Sequence, residues 1–397
     1  MTRWRGIVET AYLLALGGFI FSVYNKHATA LNYIGLYLPL LLWPVRLLLS
    51  PGSRPYLRDS LLWRTLGFVA LLGLSCLWSP DPLESLGRFR KEIAVIAIVA
   101  LTLAEAGHDG KTLKRWCVVL VVAAAWMAAQ EIGDWWAYRE TTGALLPPYG
   151  RLRDYGYGIA FGLPFVFVVR EFSSRGVRFL LAALLLVLAV LCVATGARGS
   201  WFTFAVILAA SGWLLDAPRV AIATAVFALF AALSFAWLQP GNPSTTNVER
   251  GVDSSFRRMG AWVPAAAMLA ERPALGFGYG KFVFDKEYNV RKPSHPEWEL
   301  PRSLGPHSLF FEVGFAAGLA GLAAYIFLCA GCIQRAWSLS VGEAGWRRSI
   351  ARAVLLSFVG QYFIYGFIES ISWHPLAVHL GMLLALTIGA PRPPDRG

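Results

Sequence analysis

The chain has 397 residues, 56% of them hydrophobic and 15% charged, with a mean hydropathy of +0.53. Soluble domains run nearer to about 45–50% apolar and about 25% charged, so an ordinary soluble enzyme and a disordered chain are both excluded. A net charge of +12 and a pI near 9.7 would ordinarily suggest nucleic acid. Here the basic residues sit between long apolar runs, which excludes a nucleic-acid partner and makes the chain a polytopic membrane protein.

A helix crosses a bilayer with about 20 mainly apolar residues. Twelve such runs follow in chain order, near residues 7–24, 31–49, 61–78, 92–106, 116–133, 155–170, 178–195, 200–215, 219–237, 307–333, 350–369 and 374–390. They are long and do not alternate, so the expectation is an all-α protein of about twelve transmembrane helices, not a barrel. The first run lacks a small-residue cleavage pattern and reads as a retained span. The whole of 1–397 is expected to be one transmembrane domain.

Basic residues in short loops orient the spans. Arg3 and Arg5; Arg46, Arg54, Arg58 and Arg64; Lys111, Lys114 and Arg115; Arg170, Arg175 and Arg178; Arg219; Arg335, Arg347, Arg348 and Arg352; and Arg392 and Arg396 all fall on one side if there are twelve spans. Both termini are therefore expected in the cytoplasm. About half of the basic residues remain on the opposite side, where the inside rule gives no reason for them. That side receives two segments, residues 133–154 and the single large loop 238–306. In that loop one short amphipathic helix is predicted, capped by Asp253 or Ser254, continuing from Phe256 to Ala270 and stopped by Pro273. The following Gly276-Phe-Gly-Tyr-Gly280 has no strand–helix unit around it and is no dinucleotide fingerprint.

Cys76, Cys117, Cys192, Cys329 and Cys332 lie in or beside the spans and read as packing residues, without a zinc or disulfide framework. Ionisable residues inside spans usually mark ion or proton paths. Only Glu312 and Glu131 stand out, which weakens a transporter reading.

Three constellations on the outer side carry chemistry. In Thr195-Gly-Ala-Arg-Gly-Ser-Trp201, an arginine, hydroxyls and the N-terminus of the next helix suit a phosphate oxygen. An ordinary tight turn with a snorkelling arginine fits the same residues. In Phe256-Arg-Arg-Met-Gly-Ala-Trp262, Arg258 and Trp262 are four apart and share a helix face that suits an anionic head group, or simple interfacial anchoring. In Pro306 to Gly321, His307 opens the tenth span from outside. Helical spacing brings Gly314, Gly318 and Gly321 back towards its direction, so a packed face is expected there. A neutral imidazole at that boundary can take a proton from a hydroxyl, and capping of its own helix is the alternative. Glu312 points about 140° away on the same wheel and is not expected to be its partner. No paired-carboxylate metal motif, G-x-S-x-G elbow or P-loop is found. Positive charge for phosphate chemistry is therefore expected from arginines.

These constellations, in this order on about twelve spans, resemble the O-antigen ligase family, which is related to O-antigen polymerases and protein O-oligosaccharyltransferases. The most specific element is His307-Ser308, nine residues, Gly318, two residues, Gly321. Thr195-Gly-Ala-Arg198-Gly resembles the family's arginine turn, with Ala197 where Ser is common. Arg258 to Trp262 and Arg272-Pro-Ala-Leu-Gly-Phe-Gly-Tyr-Gly280 look like its loop helix and following turn. Because Arg257 adjoins Arg258, the equivalent arginine is uncertain by one place, with Arg258 preferred. The resemblance implies a class C glycosyltransferase-like fold and a bacterial inner-membrane enzyme with its active site on the periplasmic face. The donor would be an O-antigen glycan on undecaprenyl pyrophosphate and the acceptor a sugar hydroxyl of lipid A-core, with membrane lipids as the remaining partners. His307 would take the acceptor proton. Arg198 and Arg258, with Arg257, would bind the pyrophosphate, and Arg151, Arg153, Arg88 and Arg90 would extend the same positive surface. An inverting displacement is expected to need no metal, nucleotide or other cofactor. An O-antigen polymerase, or a flippase of lipid-linked sugars, is the competing reading.

Overall fold

The computed structural model describes residues 2–25, 28–49, 54–107, 109–143, 153–195, 198–238, 248–303 and 305–388. Among the described residues there is no strand. Helices α1 (Thr2–Ser22), α2 (Thr29–Leu49) and α3 (Ser60–Ser75) cover the first three apolar runs. The fourth run is divided. Pro82–Glu92 forms α4, an amphipathic helix started by the Asp81 carboxylate on the Glu84 amide, and α5 (Ala94–Ala106) follows. At 13 residues α5 is short for a span, but other helices bury it, which is why it is apolar on every side.

The next elements are α6 (Gly110–Thr142), α7 (Arg153–Glu171), α8 (Arg175–Ala194), α9 (Arg198–Leu214) and α10 (Pro218–Leu238). The Gly-rich α7 runs through the centre. Gly158 and Gly162 lie against Met127 and Ala124 of α6, close enough that a Cβ would collide with either neighbour. The loop side contributes α11 (Val248–Glu271) and α12 (Lys281–Arg291). Then come α13 (Leu309–Gly342), α14 (Gly345–Phe358), a π-helical turn over Val359–Tyr365, the short α15 (Gly366–Ile368) and α16 (His374–Ile388). Among the described residues each of the twelve apolar runs is thus mainly helical. Seven helices among the described residues are long and apolar enough to cross a membrane, and three shorter apolar ones accompany them.

Two packing units share the chain. The large core joins α1, α3, α5, α7, α14 and α16, with α16 along α5 and α13 along α3. A small second core holds Met268, Phe277, Phe284, Tyr288 and Trp298 from the loop segment, together with Phe315 of α13. At one end of the bundle, basic residues read as orienting charges are paired with acidic ones: Arg46 with Glu9 at 2.8 Å, Arg335 with Asp59 at 2.8 Å and Arg54 with Glu105 at 3.4 Å. All five cysteines are buried and free.

Three local expectations are corrected. The loop helix starts at Val248, so Asp253 and Ser254 lie inside it and do not cap it. The loop holds a second helix, α12, whose Val283, Phe284 and Tyr288 recur at helical spacing on its buried side. The glycine stripe of α13 is no continuous packing face, because the helix breaks at Ala317 and Gly318. Gly318 has φ 65° and ψ −161°, a region open essentially to glycine. A Cβ there would lie 2.5 Å from the Pro273 carbonyl oxygen.

Candidate active site at the loop–bundle junction

The break in α13 frees backbone carbonyls, and the segment after α11 takes them. Phe277 N–H donates to Phe315 O at 2.8 Å, Gly278 N–H to Ala316 O at 2.9 Å, and Leu319 N–H to Pro273 O at 2.6 Å. The Arg272–Gly280 turn is therefore laced onto α13. Gly276, at φ 66°, lies so close to the Phe315 backbone that a side chain would not fit. This contact explains in one geometry why the histidine segment and the glycine turn both carry glycine.

His307 stands just before α13, at φ 46°, a left-handed conformation that a non-glycine residue holds at a cost of roughly 1–3 kcal/mol. Trp262 of α11 donates its indole N–H to the His307 carbonyl at 3.3 Å and packs its ring against Phe311 and Phe367. The imidazole Nδ1 lies 2.7 Å from Glu369 Oε1. An ionised carboxylate only accepts, so Nδ1 carries a hydrogen, and in the neutral ring Nε2 is then the nitrogen with the free lone pair. Glu369 Oε2 also lies 3.7 Å from an Arg258 guanidinium nitrogen. The Glu369 side chain is 11% exposed, against 24% for His307 and 26% for Arg258. One carboxylate therefore sits between the base candidate and the arginine candidate. Arg258 and Trp262 do share a face, and that face is turned to His307.

The Thr195 turn reaches the same place. Thr195 and Trp201 both donate to the Cys192 carbonyl, at 2.7 and 2.8 Å, closing the end of α8. Arg198 is the first residue of α9. The next residue, Gly199, is packed so tightly on Ile368 that a Cβ would lie 2.7 Å from its Cδ1. The start of α9 thus abuts the residue preceding Glu369. Gly366 is likewise pressed against Leu309, two residues after His307.

The remaining arginines divide. Arg88 is engaged by Glu84 at 3.3 Å and Glu92 at 3.2 Å and lies over the Phe282 ring. Burial works against its charge, but those two carboxylates outweigh burial and raise its pKa. Arg90 is exposed on the same helix. Arg151 and the side chains of Arg153, Arg198 and Arg257 lie outside the described residues. Behind Arg88, Tyr279 donates to Glu92 at 2.6 Å, and its oxygen is 3.5 Å from Glu312. Burial, with the Glu312 and Glu92 carboxylates behind it, holds the Tyr279 phenol well above its usual range.

Sequence reasoning missed Glu369. It ends the eleventh apolar run, 62 positions after His307. The only local signal is a polar break, Glu369-Ser-Ile-Ser372, between two apolar runs.

These features define a multi-pass membrane protein, all-helical among the described residues, with a histidine–carboxylate–arginine cluster where the loop segment meets the bundle. Residues 157–326 match the family model described as O-antigen ligase. Over 136 residues the chain is 35% identical to an O-antigen ligase of Salmonella typhimurium strain LT2, a stretch covering 34% of this chain and 34% of that relative. The resemblance to the O-antigen ligase family read from the motifs is thereby borne out. His307, Arg198 and Arg258 fall inside the matched region, whereas Glu369 lies beyond it.

Proposed function

We propose that the protein is a membrane glycosyltransferase of lipopolysaccharide assembly, an O-antigen ligase. In this reading it moves a glycan from undecaprenyl pyrophosphate to a sugar hydroxyl of lipid A-core, on the periplasmic face of the inner membrane. The twelve-span arrangement with cytoplasmic termini belongs to the same proposal. The observation that carries it is the 2.7 Å contact of His307 Nδ1 with Glu369, which turns the basic Nε2 away from the carboxylate.

Nε2 of His307 removes the proton of the acceptor hydroxyl as its oxygen attacks the anomeric carbon. The carbon–oxygen bond to pyrophosphate breaks on the opposite face, with inversion, and the electron pair leaves on the phosphate oxygen. Glu369 stabilises the imidazolium so formed. Arg258, with Arg198 at the start of α9, offsets the negative charge growing on the leaving pyrophosphate, an effect larger in the transition state than in the ground state. No metal is needed in this scheme.

The test is transfer by purified full-length protein from lipid-linked glycan to lipid A-core. His307→Ala is expected to lose transfer by about 10²–10⁴-fold while still binding donor and melting normally. Near-normal turnover would remove His307 from the reaction, and a strict requirement for divalent metal after EDTA would remove the arginine-only scheme. Elongation of lipid-linked repeat units in place of attachment to core would make the protein a polymerase.

A further inference from the structure

Beside His307 lies a cavity of about 220 Å³, walled by α12, the start of α13 and the turn after α15. It is smaller than the roughly 300–1,000 Å³ typical of a drug-sized ligand's pocket, so it suits one ring, not a chain. Its lining is mixed. Phe284 and Phe315 form an aromatic floor, their centroids 4.9 Å apart with edge-to-face geometry. Glu312, Ser370 and Lys281 supply acceptors and donors around it, and His307 and Glu369 are also part of its lining.

The charge decides between substrates. The lining carries two carboxyl groups, Glu312 and Glu369, against the single ammonium of Lys281, and Arg258 is not part of it. A pyrophosphate brought here would meet two carboxyl groups and a single ammonium, with Arg258 engaged by Glu369 from outside the lining. A neutral polyol suits that lining better: its hydroxyls pair with carboxylate and Ser oxygens, and its C–H face lies on an aromatic ring. Glu312 is also kept in place from behind, where Tyr279 stands between it and Glu92.

We propose that this cavity seats a single acceptor sugar ring, with Glu312 and Ser370 holding its hydroxyls, Lys281 at the rim, and the attacking hydroxyl directed at His307. The donor pyrophosphate then lies on the Arg258 side of Glu369. The assignment rests on His307 as the base, and the experiment separates the two.

The probes are deacylated lipopolysaccharide core oligosaccharide and inorganic pyrophosphate, used on the full chain in detergent. Oligosaccharide binding by saturation-transfer NMR is expected for wild type and equally for His307→Ala, without displacement by pyrophosphate. In transfer assays, Glu312→Gln and Ser370→Ala are expected to raise KM for the acceptor on the order of 10- to 100-fold, one charged hydrogen bond's worth at the upper end, with KM for donor unchanged. Lys281→Ala, at an exposed position, is expected to raise acceptor KM less and serves if Glu312→Gln does not fold. Displacement by pyrophosphate, a matching rise in donor KM, or unchanged acceptor KM in these variants overturns the assignment. Full transfer by His307→Ala with intact oligosaccharide binding would sink the base and leave the sugar seat standing.

Discussion

Replacing Glu369 with Gln separates its charge from its shape. The amide oxygen can still accept from His307 Nδ1, so the ring keeps its direction, but the imidazolium formed during proton transfer loses its counter-charge. A hydrogen bond to a charged group is worth about 1.5–3 kcal/mol. With a 2.7 Å contact and a His307 side chain 24% exposed, about 2 kcal/mol is appropriate, which is roughly 30-fold in rate at 1.36 kcal/mol per decade. The Arg258 pair is looser, at 3.7 Å, and partly exposed pairs contribute about 1 kcal/mol or less. Glu369→Gln is therefore expected to lower kcat about 30-fold, with KM for donor and acceptor little changed. A double-mutant cycle is the assay: if Glu369 acts through His307, the His307→Ala/Glu369→Gln variant is no slower than His307→Ala alone. Wild-type kcat in Glu369→Gln, or losses that multiply in the double variant, would refute the reasoning.

Gly318→Ala forces a side chain into a φ 65°, ψ −161° backbone 2.5 Å from the Pro273 carbonyl; a loss of about 2–4 kcal/mol is expected, read as a lower melting temperature and faster proteolysis of the loop segment. Tyr279→Phe removes the donor to Glu92 and should lower stability by about 1–3 kcal/mol. Because the folded phenol titrates well above its unfolded value of about 10, its contribution is complete below pH 10 and declines as pH rises beyond it. The melting temperature of Tyr279→Phe should accordingly fall less steeply than wild type between pH 10 and 11, and parallel curves would contradict the buried, carboxylate-flanked phenol.

The helical content and the shared face of Arg258 and Trp262 were legible because they depend on local spacing. Apolar runs of span length dictate helices, and a four-residue offset places two side chains together wherever the helix packs. Glu369 was not legible because its role arises from tertiary contact alone, with Gly199 and Gly366 pressing α9 and α13 onto the segment that ends in it. Gly318 was visible as a motif residue but given the wrong physical cause. A wheel drawn from His307 assumes one continuous helix, whereas His307 precedes the helix and the helix breaks at Gly318. Arg88 looked like part of a ligand-binding positive surface, yet Glu84 and Glu92 on its own helix already engage it, a pairing its i±4 spacing displays.

The broken helix also ties the loop segment to the bundle. Leu309 and Val313 are seated in the large core, and Phe315, in the same short helical piece, is seated in the small one. Ten residues from His307 to Ala316 thus join the two cores just before the break at Ala317 and Gly318. Any shift of the loop segment therefore pulls on the backbone that His307 leads into. The positions of the loop segment and of His307 are thus tied through one short stretch of backbone.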